Sequence, residues 1–132
     1  MNKATISKLV SAYTDGMISQ ETLSAIELCD IRHNYGNIQT SLGQFINATD
    51  VMFVQINDNV VEEYFDKGYT FYGIVPDDIN HAIQLVLEHE VVHMIIALQY
   101  KTAPMGHSKL FLALAGFIFE HRNADVEEGV ND

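Results

Sequence analysis

The sequence predicts an α+β fold, a small antiparallel sheet of about three strands packed against helices. Three observations predict it. Segments of strand character gather between positions 37 and 76, with helical periodicity on either side of them rather than alternating with them. An almost wholly apolar stretch over 79–98 is too long for a strand and reads as a central helix. A second apolar helix over 110–119 follows a turn and, hydrophobic nearly all round, is expected to be buried on most sides. At 132 residues the chain can close one core. A single domain is therefore expected over 1–122, made of N-terminal helices (1–36), a sheet region (37–76) and the two apolar helices (77–122).

Ile6, Leu9, Val10 and Tyr13 repeat at helical spacing over 2–14, and Asp15-Gly16 ends that helix. Ser19 is placed to cap a second helix over 20–33, closed by the residues from Asn34 to Gly36. Two short helices and a tight turn also describe a helix-turn-helix, but Glu21, Glu27 and Asp30 on the second helix favour packing on the sheet over contact with DNA. Strands are expected over 37–43 and 45–57, the latter rich in β-formers from Val51 to Ile56 and broken by Asn57-Asp58-Asn59. A short helix over 60–65 and a turn at Lys67-Gly68 lead to a third strand over 69–75, stopped by Pro76. Its Tyr69, Phe71 and Tyr72 read first as packing residues and second as the lining of a groove. Asp77 or Asp78 caps the central helix, where acidic charge is favourable. Residues 123–132 form an acidic tail with few apolar anchors, expected to be disordered.

The polar interruptions of the central helix carry the chemistry. His89-Glu90-Val91-Val92-His93 reads H-E-x-x-H amid Leu85, Val86, Leu87, Met94, Ile95 and Ile96. Positions i and i+4 share one helix face, so His89 and His93 can hold one metal ion, with Glu90 beside them as a general base. Polar groups in so apolar a helix cost free energy unless satisfied, and a metal satisfies them. The plain alternative is a pair of core histidines hydrogen-bonded to neighbours. A catalytic zinc takes three protein ligands and keeps one position open for water. Pro104 and Gly106 turn the chain, which places His107 in the turn or at the start of the next helix, able to return to the metal. His121 is a rival third ligand, but it lies about four turns further along, so His107 is favoured. His33 and His81 read as surface histidines near helix ends. Glu88 should point away from the metal, solvated or paired.

An H-E-x-x-H helix, a short loop, then a third His followed four residues later by Phe resembles the SprT-like (Spartan-type) zinc metallopeptidases, the family that includes the Spartan DNA–protein crosslink proteases. There the third His opens an H-G-x-x-F segment. Here the segment is His107-Ser108-Lys109-Leu110-Phe111, which keeps the Phe, has Ser108 in place of the Gly, and carries Gly106 before the His. The likeness covers about residues 76–121. It implies a zincin fold, a zinc ion held by His89, His93 and His107, and Glu90 as the catalytic base. It further implies a protein or peptide substrate, cut through a zinc-bound water. Tyr72 and Tyr100 are the candidates for stabilising the oxyanion.

Composition bounds the rest. Apolar residues make up 48% and charged residues 19%, the balance of a folded chain. Cys29 is the single cysteine, so no disulfide forms within the chain and no cysteine pair serves a second structural zinc; this suits a reducing cytoplasm. The start, Met1-Asn2-Lys3-Ala4-Thr5, lacks the apolar core of a signal peptide. The longest uninterrupted apolar run, 110–119, is shorter than the roughly 20 residues of a membrane span. A cytoplasmic protein with no membrane segment is expected. The net charge of −11 counts against direct contact with nucleic-acid phosphates, leaving such contact to a partner. The second apolar helix suits a homo-oligomer as well as a core. The rival class is a non-catalytic acidic binding or regulatory protein on the same scaffold, a charge mimic or inhibitor of a partner. Glu90 argues for the enzyme, because a purely structural metal site has no use for it.

Overall fold

The structure, a computed structural model, describes residues 1–33, 41–48, 51–103 and 106–128. Helix α1 (Lys3–Thr14) is capped by Asn2 and α2 (Gln20–Glu27) by Ser19, the latter as the sequence predicts. The second helix ends sooner than expected. Leu28 is its C-cap, and Asp30–His33 forms strand β1 instead of a last helical turn. Cys29, Asp30, Ile31 and His33 have weak helical preference, and pairing with a central strand outweighs it.

The stretch expected as one strand over 45–57 is two, β2 (Gly43–Asn47) and β3 (Met52–Ile56), with Ala48 and Val51 exchanging backbone hydrogen bonds between them. In the sequence, the polar residues Asn47, Thr49 and Asp50 interrupt the β-forming run at this point. The strand expected over 37–43 lies outside the described residues except for its end, where Gly43 opens β2. The sheet order is β1-β3-β2, with β2 antiparallel and β1 parallel to β3, so the sheet is mixed rather than antiparallel. The parallel pair follows from β1 replacing the helix end, which makes the β2–β3 hairpin join an earlier strand.

Helix α3 (Asp58–Asp66) is capped by Asn57. The third strand is cut to Thr70–Phe71, β4. Its continuation turns back at once: Phe71 N–H donates to Ile74 O (2.8 Å) and Ile74 N–H to Phe71 O (3.0 Å). The two residues between, Tyr72 and Gly73, both have positive φ, 58° and 80°, as a two-residue type I′ turn requires. Gly73 suits that conformation, while a bulky residue such as Tyr72 held there costs about 1–3 kcal/mol. Part of the expected tail is folded too, since β5 (Val126–Glu127) pairs antiparallel with β4.

The central helix α4 (Ile79–Gln99) matches its predicted extent, and the Asp78 side chain accepts from the His81 N–H at its start. It is the axis of the core. Leu85, Val86, Val91, Val92 and Ile95 are buried, and the helix packs against α2, α3, β2, β3 and α5 (Lys109–Phe119). By length and composition α4 is long and apolar enough to cross a membrane, yet 67% of that stretch is buried inside the fold, as in a core helix. Helix α5 buries Phe111, Leu114, Ile118 and Phe119 but leaves Phe117 74% exposed, so its outer face is open among the described residues.

Candidate metal centre

His89 and His93 stand one turn apart on α4 and His107 closes the group from the other side of a turn. Gly106, with φ +86°, makes that turn just before Ser108, whose hydroxyl accepts from the Phe111 N–H and starts α5. One ring nitrogen from each histidine lies within 4.8 Å of the other two, and the Nε2 atoms of His89 and His107 are 3.1 Å apart. A tetrahedral ion bound at imidazole distances separates its ligand atoms by about 3.3 Å. His107 is exposed and His89 buried, so the group opens on one side only. The three rings pack around Phe111, whose centroid is 4.9 Å from His89, 4.5 Å from His93 and 4.8 Å from His107.

Burial holds two of these rings in the neutral form that ligates metals. Desolvation, helped by the neighbouring imidazoles, lowers the pKa of His89 to about 2 and that of His93 to about 4. Burial pushes the Glu90 carboxyl the other way, up to about 7, against a hydrogen bond from the Phe45 backbone that favours the ionised form. The donor set fits a divalent first-row ion, since imidazole suits zinc, copper, iron and nickel.

Strand β2 forms the rim above the motif. Gly43 lets it lie on α4, for a Cβ there would stand 2.9 Å from Val86 Cγ1 and 3.4 Å from Glu90 Cγ. Because β2 pairs with β3 alone, its other edge is unpaired among the described residues. Two cavities meet at His89, Glu90 and His107. The larger, about 710 Å³, runs between β2 and the end of α4, past Phe45, Ile96, Tyr100 and Lys101. The smaller, about 430 Å³, is lined by Tyr64, Tyr69 and Tyr72. Of the aromatics expected on the third strand, Tyr69 and Tyr72 thus face this cavity, while Phe71 is wholly in the core.

His121 is not part of the histidine group. The turn after α5, with Glu120 at φ +61°, sends it inward, where its Nε2–H donates to Glu88 Oε1 at 3.1 Å. Glu88 is completely buried and also accepts from Lys8 Nζ (2.9 Å) and Gln84 Nε2 (3.2 Å). Burial alone would raise its pKa; the bonds from His121 and Lys8 reverse that and leave it lowered. It is therefore paired and not solvated. The Tyr72 ring is stacked on both His89 and His121, within 12° of parallel to each, with centroids 4.4 Å and 5.1 Å away. His81 accepts from the Asp77 N–H, and His33 bonds Asp58, both away from the site.

No protein-family model, curated protein or solved structure matches the chain. The geometry brings together His89, His93, His107 and Glu90, the residues the sequence singles out. The sequence leaves Glu88 either solvated or paired; that its partner is His121, and that Tyr72 stacks on His89, has no local sequence signal. The one sequence signal beside Tyr72 is Gly73, an isolated glycine in a strand pattern, which marks a bulge or close backbone approach, but nothing local indicates that the Tyr72 ring reaches His89.

Proposed function

We propose that the chain is a zinc-dependent metallopeptidase that hydrolyses peptide bonds in a protein substrate. The observation that carries this is the placing of Glu90 in one cleft with three converging imidazoles and the unpaired edge of β2. His89, His93 and His107 would hold the ion. Bound there, zinc supplies Lewis acidity toward a carbonyl and makes water acidic near neutral pH. Glu90 takes the proton from the attacking water and hands it to the leaving amine. The β2 edge aligns an extended peptide through main-chain hydrogen bonds. Tyr100 lines the larger cavity and Tyr72 the smaller, and they remain the candidates for stabilising the oxyanion.

The SprT-like resemblance supports the same reading, including the zincin fold. The net charge of −11 restricts it to protein substrates met directly, with any nucleic acid contacted through a partner. The single buried cysteine suits a reducing cytoplasm. The same acidic charge favours one rival, a binding protein that acts through its surface. Glu90→Gln separates the two. As an enzyme, the variant keeps its zinc and cleaves a mixture of fluorescence-quenched peptides about 10²–10⁴-fold more slowly. Equal cleavage by variant and wild type would remove Glu90 from the mechanism, and no cleavage by either would favour the binding protein.

A further inference from the structure

We propose that Tyr72 is a positioning residue for His89, and that the buried Glu88–His121 pair holds Tyr72 in place. This rests on the reading of His89, His93 and His107 as metal ligands. A ligating imidazole is usually fixed by a hydrogen bond from its second nitrogen to a carboxylate, carbonyl or water. His89 lacks one from the protein: its Nδ1 is buried with no hydrogen-bond partner among the described residues. The orientation of its ring must come from packing, and two rings supply it. Phe111 meets it at 61°, and Tyr72 lies flat behind it at 4.4 Å.

The Tyr72 ring also stacks on His121, at 5.1 Å and 12°. His121 cannot swing away without breaking its bond to Glu88, and Glu88 is anchored by Lys8 and Gln84. Glu88 directly precedes His89 on α4, so one helical turn fixes both ends of the stack. The backbone of Tyr72 is clamped as well: its N–H donates to Asp125 O (2.8 Å) and its carbonyl accepts from the Arg122 N–H (2.9 Å). That clamp holds a tyrosine where a type I′ turn favours Asn, Asp or Gly. A residue that violates the local rule and is held by surrounding structure marks a functional position more often than a neutral one. Here the gain is the flat ring against His89.

The test uses the full chain, zinc affinity by competition with a chelator, and the visible spectrum of the cobalt(II)-loaded protein, which reports ligand geometry. Tyr72→Phe keeps the ring and is expected to bind zinc like wild type. Tyr72→Leu keeps an apolar side chain without the ring and should bind zinc about 10–100-fold more weakly, with an altered cobalt spectrum. Wild-type affinity and spectrum in Tyr72→Leu would overturn the proposal. So would an equal loss in Tyr72→Phe, which would assign the effect to the hydroxyl. Should Tyr72→Leu not fold, His121→Gln keeps a donor for Glu88 and removes the outer ring; it should weaken zinc several-fold and shift the spectrum, and an unchanged spectrum and affinity would refute the stack. A wild-type chain that takes up neither zinc nor cobalt is a separate outcome, and it refutes the three-histidine reading itself.

Discussion

The Nε2 atoms of His89 and His107 lie 3.1 Å apart although the residues belong to different elements, one buried in mid-helix and the other exposed before the next helix. At that distance one imidazole N–H can donate to the other ring's nitrogen, and the same two nitrogens are close enough to share a cation. With His93 they form one group that could hold a metal ion, and His107 is its exposed member.

His107→Ala should leave the fold intact, because an exposed side chain leaves no cavity. Zinc affinity should fall by more than the roughly 10–100-fold that loss of an outer partner of a ligand costs. Far-UV circular dichroism and chelator competition measure the two effects. Unchanged zinc affinity would exclude His107 as a ligand.

The metal-free protein should be destabilised by Glu90 at alkaline pH. Burial raises its pKa from the ordinary 4.5 to about 7, so the folded state holds a proton that the unfolded state has released. Stability is then lost as pH rises between these values, by about 3 kcal/mol once both states are ionised. Metal-free Glu90→Gln should accordingly be the more stable protein at pH ~8, with the difference closing toward pH ~4.5. Urea unfolding at the two pH values tests this; identical stability at the higher pH would show that the carboxylate is not desolvated.

The buried imidazoles act in the opposite direction. His89 and His93 have pKa values lowered from 6.5 to about 2 and about 4, so below 6.5 the unfolded state takes up protons that the folded state refuses. Their contribution is complete above that pH and is lost as the pH falls. His93→Gln in the metal-free protein should flatten the decline in urea stability between pH ~6.5 and ~4. A decline as steep as that of the wild type would mean that His93 is protonated in the fold.

Much of the site was legible because it rests on helical periodicity. The spacing of His89 and His93 follows from 3.6 residues per turn, and Gly106, where the structure has a positive φ, is a turn signal directly before His107. The strands were less legible. Residues 30–33 read as helix because their strand state depends on pairing with β3, which no local pattern reports. The third strand was overextended because Tyr72 has strand propensity and takes a left-handed turn conformation only where Asp125 and Arg122 clamp it. The role of Glu88 was hidden for a related reason: its partners Lys8 and His121 are 80 and 33 residues away in sequence.

Gly43 offers the sharpest test of how the β2 rim supports the site. A methyl group added there would meet Val86 Cγ1 at 2.9 Å and the Gln55 carbonyl oxygen at 3.1 Å, with Glu90 Cγ at 3.4 Å. The carbonyl belongs to the β2–β3 ladder and cannot yield without breaking pairing, so the strand must lift from α4. Overpacking of this kind costs about 1–3 kcal/mol. Because Phe45 hydrogen-bonds Glu90 from the same strand, lifting β2 also releases the base, while the three histidines on α4 and before α5 are untouched. Gly43→Ala should therefore melt at a lower temperature, bind zinc as wild type does, and lose peptide cleavage. A variant that loses zinc as well would show that β2 holds the histidines in addition to Glu90, and one that melts and cleaves as wild type would show that the strand does not bear on the base.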